Sequence, residues 1–179
     1  MLTDEAKHGV NSIFTRAVVA NLGRNETDSI KVVRISESSL VELPEARIFV
    51  LTIASYVFRL MTIFHLHPGK DTEAFFTQSN PRLSCNEIFY EVGNLCVGAM
   101  NRELGTHFGH IGMSTPYMLE SKCLPFIKEL KPSYLAQHRI EINESIALHA
   151  TLCLCAYAPI HFSVAANAST EETGALELF

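Results

Sequence analysis

The sequence predicts one α/β domain with helices packed on a mostly antiparallel sheet. Three observations carry that expectation. The chain has 179 residues, long enough to bury a real core and short enough for one domain. Apolar residues recur at helical spacing in some segments and at strand spacing in others. The segments run helix, three strands, two helices, then several strands, with no linker between them. Residues 1–164 are expected to form the domain and 165–179 a C-terminal tail.

In residues 4–22, Val10, Ile13, Phe14, Ala17, Val18 and Leu22 recur at threes and fours. Gly23 then stops the helix. Residues 30–36 read as a strand and SESSLVELPEA as a loop. The apolar run 46–66 contains Arg59, starts near Arg47 and breaks at Ser55-Tyr56. With its β-branched and aromatic content, it fits two antiparallel strands, 47–54 and 56–65, better than a membrane span. Pro68-Gly69 ends the pair, and a short helix near 71–78 carries Ala74, Phe75 and Phe76.

A longer helix follows. Ser84 and Glu87 make a capping box, and Leu83 and Ile88 are placed as a hydrophobic staple. Gly105 ends the helix after about five turns. Residues 110–115 and 117–120 read as strand interrupted by Pro116, which belongs on an edge or at a bend. Leu124–Leu130 reads as a short helical turn. Tyr134, Ala136, His138, Ile140 and Ile142 alternate with Gln137, Arg139, Glu141 and Asn143, the period of a half-buried strand. Residues 146–157 are apolar almost throughout, as in a more central strand. The tail is small and polar until Leu176 and Phe179, so it is expected to be disordered or docked on a neighbour.

Composition narrows the function. Hydrophobic residues make up 47% and charged ones 18%, an apolar balance that a homodimer interface would absorb. A net charge of −5 without a basic block argues against nucleic acid. The five cysteines show no C-x-x-C pair or zinc spacing and read as reduced core thiols of a cytosolic protein. The N-terminus is acidic and polar where a signal peptide would be basic and then apolar, so a cytoplasmic protein without a membrane anchor is expected. No phosphate-binding glycine loop, dinucleotide fingerprint or serine elbow occurs.

The long helix has an unusual face. At about 100° per residue, Glu87, Glu91, Asn94 and Gly98 share one side, and Ile88, Val92, Leu95, Cys96 and Ala99 are assigned to the buried side. A polar stripe is more often just a solvated face. Yet Asn is a poor mid-helix residue, and a helical glycine costs about 1 kcal/mol relative to Ala. Gly98 beside Glu91 and Asn94 lowers the surface, so that another backbone could come close. Gly93 carries the same cost on a different face.

Glu91-x-x-Asn94, with Gly98 one turn later and Pro116 beyond, resembles the signature of the CheC/CheX family of chemotaxis phosphatases. The flanking NEIFYEVGNLCVGAMNREL and IGMSTPYML resemble that family's helix and following strand, and the order of elements agrees over roughly residues 5–160. The closer likeness is to CheX, which has one active helix. The resemblance implies a phosphatase acting on the aspartyl phosphate of a CheY-type response regulator. It implies that Glu91 engages the partner's lysine and that Asn94 orients the attacking water. Glu87, Gly98 and Pro116 would shape the contact with the partner. No cofactor is implied in this chain, since the Mg²⁺ would sit on the regulator. One departure is Glu87, where the family usually has Asp or Ser.

Rival readings remain at this level. The same fold could bind a receiver or signalling protein without turnover. His8-x-x-Asn11 on the first helix reads as a degenerate second copy of the motif, kept for structure. His65, His67, His107 and His110 would build a small metallohydrolase, but the spacing is weak and no metal site is expected.

Overall fold

The computed structural model describes residues 2–35, 47–66, 69–78 and 82–164. The expected loop after residue 35, His67, Pro68 and the 165–179 tail lie outside the described residues. The elements in chain order are α1 (Asp4–Asn21), β1 (Ile30–Ile35), β2 (Arg47–Ala54), β3 (Phe58–Leu66), α2 (Lys70–Thr77) and α3 (Cys85–Gly105). Then come β4 (Gly112–Met113), β5 (Tyr117–Glu120), a 3-10 segment (Ser121–Leu130), β6 (Tyr134–Ile142) and β7 (Ile146–Ala156). The order matches the sequence reading, and the expected short helical turn is a longer 3-10 segment with Pro125 inside it.

The strands form one antiparallel sheet in the order β1-β6-β7-β3-β2-β4, with β5 also paired to β2. The 46–66 run is the expected hairpin, β2 against β3 from Arg47↔Leu66 to Ala54↔Arg59. Among the described residues no helix is long and apolar enough to cross a membrane.

Strand alternation divides the sheet residues between two faces. Phe49, Leu51, Ile53, Leu60 and Phe64 lie in one core with Val10, Ile13, Phe14 and Val18 of α1 and Ile88, Phe89, Val92 and Cys96 of α3. Arg16 of α1 pairs with Glu103 of α3 across the two helices. The other face carries Ile48, Val50, Met61, Ile63, Cys153 and Cys155, against which Leu124 and Ile127 of the 3-10 segment pack. Burial raises the Cys153 thiol to about 12, and Cys96 in the helix-side core is likewise raised to about 12. Cys85, Cys96, Cys153 and Cys155 are buried, as the sequence indicated, whereas Cys123 on the 3-10 segment is exposed and corrects that reading.

Phe89 is the centre of the aromatic packing under α3. Its ring centroid lies 5.4 Å from Phe49, 5.8 Å from Phe64 and 5.3 Å from Phe76 of α2. Gly93, one turn later, faces the sheet. A Cβ there would stand 3.7 Å from Leu51 Cδ1 and 3.8 Å from Phe64, so the backbone of α3 lies close on β2 and β3.

Candidate functional site

The capping box forms. The Ser84 hydroxyl accepts from the Glu87 N–H at 3.3 Å, and Glu87 Oε2 accepts from the Ser84 N–H at 2.8 Å and its hydroxyl at 2.7 Å. The Ser84 hydroxyl, and then its backbone N–H, hold the Glu87 carboxyl below its usual range. Glu87 therefore shares the exposed face but is engaged at the cap.

The next residues of that face are free. Glu91 and Asn94 are exposed, and among the described residues neither side chain has a hydrogen bond or ion pair. Val92, Gly93, Cys96 and Val97, interleaved with them, are buried, so a packed underside holds the two polar side chains outward.

The assignment of Leu95 to the buried side is corrected. Leu95 is 57% exposed. The reason is geometric: it stands four residues after Glu91 and three before Gly98, which places it on the polar ridge. Half-buried Gly98 leaves a low point on that ridge. The nearest heavy atom to a Cβ built there is Arg102 Nη1, at 3.8 Å. Arg102 thus belongs to the same face, a neighbour that the sequence reading left out. The i, i+4, i+7, i+11 spacing of Glu91, Leu95, Gly98 and Arg102 was the available signal.

Pro116 sits where β4 gives way to β5 on the edge beside β2. Ile53 pairs with Met113 and Val50 with Tyr117, so three residues, Ser114 to Pro116, face only two on β2. This is a one-residue bulge, the edge position that a proline tolerates. Ser114 anchors it, its N–H donating to Thr52 O at 2.8 Å and its hydroxyl accepting from the Thr52 N–H at 3.0 Å. The bulge lies opposite Leu51 and Thr52, the level of β2 at which Gly93 comes closest.

The other candidates separate. Asn11 is held inside the fold, its amide donating to Lys7 O at 2.7 Å and to the Tyr134 hydroxyl. That agrees with a structural role. His65 is buried and bonded to Thr151 Oγ1 at 2.8 Å near the end of β3. His107 follows α3 beside Phe108, which packs on Phe58 at the start of β3. Seven strand residues, about 23 Å, separate Phe58 from His65. Among the described residues no group of three His, Cys, Asp or Glu is placed to hold a metal. Two clefts, of about 340 and 600 Å³, have no lining residue from α3.

No protein-family model and no curated protein matches the sequence. Solved structures match the fold. CheX from Borrelia burgdorferi, in a complex with CheY, BeF3 and Mg, aligns with a TM-score of 0.57 at 11% identity, over 83% of this chain and 97% of that one. Chemotaxis protein CheX from Vibrio vulnificus aligns with a TM-score of 0.59 at 10% identity, over 81% and 98%. FliY from Thermotoga maritima aligns with a TM-score of 0.56 at 11% identity, over 86% and 89%. The chain has the fold of the CheC/CheX proteins, as the motif implied, and the same fold recurs in FliY.

Proposed function

We propose that the chain is a CheX-like phosphatase of a CheY-type response regulator. One observation carries the reading: Glu91 and Asn94 stand exposed, one turn apart and without a side-chain partner among the described residues, on a convex helix backed by a packed sheet. A convex ridge cannot enclose a small substrate. It suits insertion into a site that another protein provides.

The chemistry required of such a ridge is small. An aspartyl phosphate in a receiver domain already has Mg²⁺ and a lysine beside it, both supplied by the partner. The missing part is a water held in line with the phosphorus. The Asn94 amide, with one donor group and one acceptor, can hold that water. The water oxygen attacks phosphorus, the bond from phosphorus to the aspartyl oxygen breaks, and the aspartate carboxylate is restored. Phosphate leaves with the water's oxygen, and the water's protons pass to phosphate and solvent. Glu91 pairs with the partner's lysine and fixes the approach.

Glu87 departs from the family pattern, but its bonds to Ser84 give it a complete role in the cap. The departure therefore does not by itself favour a module that binds without turnover. The reading also includes a cytoplasmic homodimer. Tyr117 and Leu119 of β5, paired with Val50 and Ile48, lie on the sheet face opposite α3 and are exposed there with Phe126. An interface on that face leaves the ridge open.

The test measures phosphate loss from phosphorylated receiver domains of the host, with and without the chain. Acceleration for at least one receiver, lost in both Glu91→Ala and Asn94→Ala, is expected. Receiver binding with no acceleration would leave the non-catalytic module in its place.

A further inference from the structure

We infer that Leu95 and Arg102 extend the Glu91/Asn94 pair into a docking ridge for the acidic rim of a metal-bearing receiver, Leu95 as apolar anchor and Arg102 as electrostatic guide. The inference rests on the proposed function and adds what selects the partner.

Leu95 is the exception on its helix. Ile88, Val92, Val97, Met100 and Leu104 are all buried, whereas Leu95 is 57% exposed. No core requirement explains a leucine there. Its neighbours on the ridge are Glu91 one turn before, Asn94 beside it and Gly98 one turn after. An aliphatic side chain so placed can exclude water around a polar pair once a partner covers it, the arrangement found at the centre of protein interfaces. Glu91, Leu95, Gly98 and Arg102 recur at i, i+4, i+7 and i+11, which keeps all four on one ridge of the helix.

Arg102 supplies the sign of charge that the partner's rim requires. A site that binds Mg²⁺ and carries phosphate on an aspartate is built from carboxylates. The chain itself has a net charge of −5, so a rim of carboxylates meets an unfavourable field unless a cation lies at the point of contact. The Arg102 guanidinium lies against Gly98, with Nη1 3.8 Å from where a Cβ would stand, and so is folded back one turn along the helix. The backbone positions of Glu91 and Arg102 are about 16 Å apart along the axis at 1.5 Å per residue, and the guanidinium at the level of Gly98 is about 10 Å along it from Glu91. A carboxylate at one end for a lysine, and a guanidinium at the other for carboxylates, allow one direction of docking.

The experiment uses the full chain and a receiver that it dephosphorylates, loaded with BeF3 and Mg²⁺ for binding and with phosphate for turnover. Leu95→Ser is expected to raise Kd and KM about tenfold with kcat retained, and Leu95→Met to restore both. Arg102→Ala is expected to slow association and flatten its dependence on salt, again with kcat retained. Unchanged KM in Leu95→Ser, with the wild type active, would overturn this inference and leave the phosphatase reading intact. A change in oligomeric state in Leu95→Ser would overturn it too, by placing the side chain in a contact between copies. A wild type that neither binds nor dephosphorylates any receiver would remove both.

Discussion

Two asparagines on two long helices have opposite fates. Asn11 is bonded to Lys7 O and the Tyr134 hydroxyl, and its side chain is spent on the fold. Asn94 is exposed with no partner among the described residues. Residue type and spacing were legible for both. Leu95 was not, because its apolarity outweighed its phase: a helical position follows from the angle to its neighbours, and Leu95 lies within about 40° of Glu91. A prediction belongs at this scale. Burial lowers His65 to about 4, with His149 adding to the effect, and burial lowers His138 to about 4 with help from Arg34. Both are neutral in the folded state at pH values where the unfolded chain, near 6.5, takes up protons. Their stabilisation is present above about pH 6.5 and is lost as pH falls toward 4, at about 1.4 kcal/mol per pH unit for each histidine. The acids held low (Asp4, Asp28 and Glu87) act at lower pH, below their ordinary 3.8 to 4.5. Urea unfolding at pH 7, 6 and 5 should show stability falling with pH, and a shallower fall in His138→Gln.

At the scale of elements, α3 is fixed at its start and along its underside. The Ser84/Glu87 box was readable from sequence because it is local, needing only residues three apart. Ser84→Ala should lower stability by about 1 kcal/mol, seen as a shift in the chemical denaturation midpoint, and leave the proposed phosphatase activity at the wild-type level. The role of Phe89 was not readable, because Phe49, Phe64 and Phe76 come from three other elements. Phe89→Ala should cost about 3–5 kcal/mol, a loss large enough to remove the cooperative unfolding transition from a marginal domain. The bulge at Ser114–Pro116 was legible only as an edge or bend. Its two-to-three pairing depends on how β4 and β5 share β2, which no local pattern records.

Across the whole molecule, the two periodicities in the sequence sort the residues into an antiparallel sheet and the helices above it. The strand order β1-β6-β7-β3-β2-β4 was not legible, since it joins segments about a hundred residues apart, as in Val32↔Ile140. What the fold contributes to function is rigidity: α1 and α3 lie on one face, tied by Arg16 and Glu103, and α3 turns its unspent residues outward. The central claim is that Asn94 supplies catalysis and not merely contact. The most direct measurement compares, for Asn94→Ala and wild type, the rate of phosphate loss from the receiver and the affinity for its BeF3-bound form. The account predicts a rate reduced on the order of a hundredfold, to the receiver's own, with affinity retained. Full acceleration by Asn94→Ala would contradict it.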